Sequence, residues 1–180
     1  EMPRALSQIP KLKDLRIGRN RVSSLMQSTT AAQRAAMENG KEVKFETFKM
    51  MVDLEHLHLG VNKLSTLPAD IWKLPRLVEL NLRSNVLTDI SPEIERLSKC
   101  LEELYLDGNQ LHTLPAALEK CKRLTKLTVC DNKLTSKGLP PLPPNLVQLL
   151  LRQNELTVCA VPLDSVSLGP YFCCSVYCPP

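Results

Sequence analysis

Leucine recurs in this chain at a spacing that admits very few folds. The template L-x-x-L-x-L-x-x-N-x-L fits Leu54, Leu57, Leu59, Asn62 and Leu64. It fits again at Leu77, Leu80, Leu82, Asn85 and Leu87, and at Leu101, Leu104, Leu106, Asn109 and Leu111. Two further copies run through Leu124, Leu127, Val129, Asn132 and Leu134, and through Leu146, Leu149, Leu151, Asn154 and Leu156. An upstream copy lies at Leu12, Leu15, Ile17, Asn20 and Val22. From Leu54 to Leu146 the copies start 23, 24, 23 and 22 residues apart. Self-similarity at such a period marks a stack of small supersecondary units.

The physics of one unit explains why it must be stacked. The L-x-L step alternates with period two, so it predicts a short strand with one buried face. A unit of this size cannot bury its own leucines, and neighbouring units must cover them, giving a continuous core under a parallel sheet. Composition agrees: hydrophobic residues make up 43% of the 180 residues and aromatics only 4%, so branched aliphatics in equivalent slots build the core.

On these residues the chain resembles the leucine-rich repeat family over roughly residues 9–156, and the expected organisation is one repeat domain over residues 1–156 with residues 157–180 as an irregular tail. The resemblance implies an α/β fold: a leucine-rich repeat solenoid, a curved right-handed stack with a parallel concave sheet and short helical, 3₁₀ or extended convex segments. It also implies an asparagine ladder that satisfies the backbone where the chain leaves each strand. The positions are Asn20, Asn62, Asn85, Asn109, Asn132 and Asn154, and their role is structural.

The remainder of each repeat returns on the opposite side. Leu67, Ile71 and Leu74, then Ile90, Pro92, Ile94 and Leu97, then Leu114, Leu118 and Cys121 offer inward apolar residues at three- or four-residue steps, as short helical or 3₁₀ turns would. Cys121 stands in the slot of Leu74 and Leu97, so it reads as a small core residue. The fifth return, Gly138 to Asn145, carries Pro140, Pro141, Pro143 and Pro144 and predicts an extended course with Leu139 and Leu142 inward. This Leu-Pro-rich turn is similar to those of bacterial effector repeats, whereas the preceding repeats look like those of intracellular signalling proteins.

Two segments break the period. Leu12 and Leu54 are 42 residues apart, which leaves an insertion over about 28–51. It contains Thr30 and Gln33 at capping-box spacing, helix-favouring Ala31, Ala32, Ala35 and Ala36, and Gly40 as a stop. An enlarged convex turn or a partner loop would both suit it. The tail holds Cys173, Cys174 and Cys178, which lack a fourth ligand for a metal site.

The chain has seven cysteines with no recognisable disulfide framework, so a reducing, cytoplasmic compartment is expected. No apolar run is long enough to span a membrane. The net charge of +4 is mild.

If the leucines of each strand point inward, the residues beside them face out in three rows. The first is Asp14, His56, Glu79, Glu103, Lys126 and Gln148; the second is Arg16, His58, Asn81, Tyr105, Thr128 and Leu150; the third is Gly18, Gly60, Arg83, Asp107, Cys130 and Arg152. Six strands about 4.8 Å apart span roughly 24 Å, which suits a protein interface and not a deep pocket. Tyr105 is the expected anchor, with Arg83 and Arg152 next, because Tyr and Arg concentrate binding energy. His56 and His58 lie two apart on one strand, but no third metal ligand is evident.

The expected function is therefore non-catalytic protein binding. The candidate binding residues are Arg16, His56, His58, Glu79, Asn81, Arg83, Glu103, Tyr105, Asp107, Lys126, Thr128, Leu150 and Arg152. An alternative is the recognition part of a larger signalling or ubiquitin-ligase-type protein with catalysis elsewhere. No P-loop, His-Glu-x-x-His pair or Gly-x-Ser-x-Gly elbow is present, Cys130 beside Asp131 has no identifiable base, and no cofactor is expected. Acidic residues interrupt the basic ones on the outward rows, so nucleic acid is not the expected partner.

Overall fold

The computed structural model describes residue 9, residues 11–23, residue 48 and residues 50–156. Most of the 28–51 insertion and the whole 157–180 tail, with its cysteines, lie outside the described residues.

Six three-residue strands follow the L-x-L steps: β1 (Asp14–Arg16), β2 (His56–His58), β3 (Glu79–Asn81), β4 (Glu103–Tyr105), β5 (Lys126–Thr128) and β6 (Gln148–Leu150). They form one parallel sheet in sequence order. The register places leucine against leucine: Leu15, Leu57, Leu80, Leu104, Leu127 and Leu149 occupy equivalent central positions. All six are buried.

The returns form 3₁₀ turns at Ala69–Lys73, Pro92–Leu97, Ala116–Lys120 and Ser136–Gly138. Ile71, Ile94 and Leu118 are fully buried beneath the first three. Pro92 departs from expectation: it is exposed and opens its turn, after Ser91, whose hydroxyl accepts a hydrogen bond from the Glu93 N–H at 3.2 Å. A proline is suited to this position, where its missing N–H costs nothing. After Gly138 the proline-rich return has no regular helix; Leu142 is buried and Leu139 packs partly against the core. Cys121 is fully buried, and burial pushes its thiol up to about 11.

The insertion contributes two core residues that its loose alternation does not reveal. Phe48 and Met51 are both buried. The Phe48 N–H donates to the Asp70 carboxylate on the first 3₁₀ turn, which fastens the end of the insertion to the stack.

The asparagines stitch each repeat to the one before it. The Asn85 side-chain amide donates to Leu59 O at 3.1 Å and to Leu82 O at 3.0 Å, while its oxygen accepts from Leu64 N at 2.9 Å. Asn109 does the same with Leu82 O, Leu106 O and Leu87 N at 3.0, 2.9 and 3.1 Å. Asn62, Asn132 and Asn154 repeat the pattern. One residue before each asparagine the backbone turns left-handed: Arg19, Val61, Ser84, Gly108, Asp131 and Gln153 have φ of 60°, 58°, 53°, 65°, 53° and 54°. That bend aims the asparagine back into the stack. It is easy for Gly108 and costly for the β-branched Val61.

Candidate functional site: the outer face of the sheet

Because side chains alternate along a strand, the residues flanking each buried leucine stand on the other face of the sheet. The strand register aligns two of the expected rows: Asp14, His56, Glu79, Glu103, Lys126 and Gln148, and Arg16, His58, Asn81, Tyr105, Thr128 and Leu150. Their environments differ sharply along the stack.

At the centre the side chains satisfy one another. Arg83 Nε lies 2.5 Å from Asp107 Oδ2 and its guanidinium sits 4.4 Å from the centre of the Tyr105 ring. Lys126 Nζ is 5.0 Å from the same ring centre. The Tyr105 hydroxyl donates to the Glu103 carboxylate. Burial first, and this hydrogen bond second, raise the Tyr105 phenol above its ordinary value. Asp107 also accepts from the Thr128 hydroxyl at 2.6 Å and from the Cys130 N–H at 2.8 Å.

This packing corrects one expectation. Tyr105 is only 8% exposed and Thr128 is fully buried, so neither presents an open surface. Two cations cover the tyrosine ring, as expected for an aromatic face bearing negative quadrupole charge. Arg83 keeps 43% of its side chain exposed, and it is the group that faces outward from the cluster. The sequence misses the arrangement because Arg83 reaches diagonally across two neighbouring repeats, to Asp107 and Thr128. The available signal was the alternation of Arg83 and Asp107 in one outward row.

Toward β1 the face is more open. Arg16 pairs with Asp14 at 2.8 Å, and that hydrogen bond holds the Asp14 carboxyl below its usual range. His58 Nε2 is 3.7 Å from Glu79 Oε2. Asn81 Oδ1 accepts from the Arg83 N–H at 3.2 Å. Gly60 lies beside this oxygen with no side chain, and a Cβ there would stand 3.2 Å from it. His56 and His58 share one strand, but among the described residues no group of three or more His, Cys, Asp or Glu side chains is arranged to hold a metal. At the other end Leu150 is half-buried and Arg152 exposed. Burial raises the Cys130 thiol above its ordinary value.

The described helices include none long and apolar enough to cross a membrane. Chemically the face offers directed charge and hydrogen bonding on a rigid sheet.

Known structures share this architecture. A leucine-rich repeat protein of Leptospira interrogans superposes with a TM-score of 0.55 at 22% identity, covering 93% of this chain and 51% of its own. The chain thus spans about half the length of that protein. A pollen receptor kinase 3 gives a TM-score of 0.60 at 23% identity, covering 89% of this chain and 75% of its own. An internalin of Listeria monocytogenes gives 0.57 at 18% identity, covering 98% and 55%. At these identities the likeness concerns the fold. No curated protein sequence matches significantly. The leucine rich repeat family model matches residues 41–87 and 75–134, more than half of the chain. With the repeated leucines, the parallel sheet and the asparagine ladder in place, the chain belongs to the leucine-rich repeat family.

Proposed function

We propose that this chain is a non-catalytic interaction module that holds a protein partner on the concave face formed by its sheet. The supporting observation is the preorganised cluster around Tyr105. Asp107 fixes Arg83 from one side and the tyrosine ring supports it from below. An arginine already held in one geometry loses little conformational entropy when a partner docks, and its remaining donors suit a carboxylate or a backbone carbonyl. Arg83 is then the contact residue and Tyr105 its platform. Arg16, His56, His58 and Glu79 extend the surface toward β1, while Leu150 and Arg152 extend it toward β6. Cys100, Cys121 and Cys130 are free thiols, which suits a reducing, cytoplasmic setting.

The test uses affinity capture from cell extract with the wild-type chain, an Arg83→Glu, Arg152→Glu variant and a Lys120→Glu variant of the opposite side. Circular dichroism verifies folding. A partner retained by wild type and Lys120→Glu but lost by the double variant supports binding on this face. Equal capture by all three overturns it.

A further inference from the structure

The repeat that begins at Leu77 is one residue longer than those on either side of it, and the extra length falls at the edge where the chain turns back toward the strands. Its 3₁₀ turn, Pro92–Leu97, has six residues where Ala69–Lys73 and Ala116–Lys120 have five. The slot just before the first leucine holds Arg76, Cys100, Arg123 and Asn145 in the last four repeats. Where the slots before Leu77 and Leu124 hold a long arginine, the slot between them, at the end of the longer repeat, holds a small, half-buried cysteine. The result is a gap between Arg76 and Arg123.

Two contiguous depressions of about 370 and 360 Å³ open at this gap and share Pro75, Lys99 and Cys100. The first has an apolar floor of Trp72, Leu74 and Pro75, ringed by Lys73, Arg96 and Lys99, with no acidic residue in its lining. The second adds Arg76 and Arg123 and a single acid, Glu55. Glu55 is itself held by Lys13 at 2.8 Å. Arg76 pairs with Asp53, Arg96 with Glu93 and Arg123 with Glu102. Among the described residues, Lys73 and Lys99 have no ion-pair partner. Two ammonium groups with no ion-pair partner among the described residues thus border a mainly apolar trough beside an irregularity of the repeat.

We propose that this groove docks an acidic segment of a partner protein, with an apolar side chain on the Leu74–Pro75–Cys100 floor and flanking carboxylates on Lys73 and Lys99. The charge balance selects the occupant. The rim supplies positive charge around a mainly apolar floor, which matches carboxylates interleaved with apolar side chains. The surface lies apart from Arg83 and Tyr105, so it stands or falls independently of binding at the concave face.

The experiment is fluorescence anisotropy of a fluorescein-labelled peptide alternating glutamate and leucine, titrated with the full chain. Saturable binding is expected, weakened about tenfold or more by Lys73→Glu with Lys99→Glu and unchanged by Arg83→Glu. Cys100→Arg is the discriminating variant. It restores the arginine of the neighbouring repeats, fills the gap and adds positive charge. Seating in the groove predicts that binding is lost, whereas attraction to positive charge alone predicts that it tightens. Absence of saturable binding, indifference to the lysine substitutions, or tightening by Cys100→Arg overturns the proposal. So does an oligonucleotide that binds more tightly than the peptide with the same dependence on Lys73 and Lys99. If Cys100→Arg fails to fold by circular dichroism, the two exposed lysine changes decide the matter alone.

Discussion

Asn20 and Asn109 occupy the same place in the repeat and have different surroundings. Asn109 is buried, and its amide joins Leu82 O of the preceding repeat to Leu106 O of its own while its oxygen receives Leu87 N. Asn20 is exposed and, among the described residues, donates within its own turn, to Ile17 O at 3.2 Å and Gly18 O at 3.0 Å. The ladder is directional: every later asparagine reaches back to the repeat before it. A rung therefore belongs to the junction between two repeats, and the same residue gains its energetic weight only when a repeat stands behind it.

The largest expected effect follows directly. Asn109→Ala leaves the buried Leu87 N–H without its partner and removes one of the two amide bonds to each of Leu82 O and Leu106 O, which keep those from Asn85 and Asn132, a loss of roughly 4 kcal/mol. Asn20→Ala should cost under about 1 kcal/mol, since solvent can replace its bonds. Ile17 O also keeps its bond from Asn62. Urea denaturation of both variants checks the contrast, and equal losses would break the junction argument.

Gly138→Ala comes next and asks whether the proline-rich return is coupled as tightly as the regular ones. An added Cβ would stand 2.2 Å from His112 O, and the Leu114 N–H donates to Gly138 O at 2.9 Å. Backbone on both sides must move, so we expect a loss of about 3 kcal/mol in the same measurement. Gly60→Ala, with its nearest contacts at 3.2 and 3.3 Å, should lose roughly 1 kcal/mol.

The repeat made much of this legible in advance. An apolar residue in every equivalent slot can only be buried by stacking, so strand positions, the sheet order and the buried Cys121 follow from spacing alone. The proline-rich return also announces itself, because four prolines exclude a helix. Two kinds of feature stay hidden. Phe48 and Met51 enter the core from outside the periodic pattern, and Phe48 is held there by a bond to Asp70 that no local rule encodes. The burial of Tyr105 arises from residues in the two flanking repeats, Arg83 and Lys126, whose side chains close over it. Period two gives the face on which a side chain stands; it does not say what its neighbours do there.

A third prediction concerns Cys121, an interior residue of a regular return. Burial raises its thiol to about 11 from an ordinary 9.0. The folded state therefore holds this proton more firmly than the unfolded state. The resulting stability is fully present below pH 9 and is lost as pH rises through 11. Replacement by valine should flatten that decline, seen as a smaller fall in urea midpoint between about pH 8 and pH 10 than in wild type.

The smallest effect sharpens the comparison from the other side, by improving a junction. Val61 is half exposed and holds φ of 58° at the bend that directs Asn62 into the ladder. Valine resists this conformation because its branched Cβ crowds the following carbonyl, whereas asparagine tolerates it. The neighbouring bonds run through backbone, with the Val61 N–H donating to Arg83 O at 2.7 Å, so a change of side chain leaves them intact. Val61→Asn should stabilise the chain by about 1 kcal/mol. The same exchange at Gly108, also left-handed, should instead lose a few tenths of a kcal/mol, because glycine there carries no strain to relieve. Opposite signs at two equivalent bends, read from thermal midpoints, would show that strain at the bend varies from repeat to repeat while the rung that follows does not. Destabilisation at both would mean that the exposed valine contributes through contacts, and that the bend at Val61 is held by its neighbours at no cost.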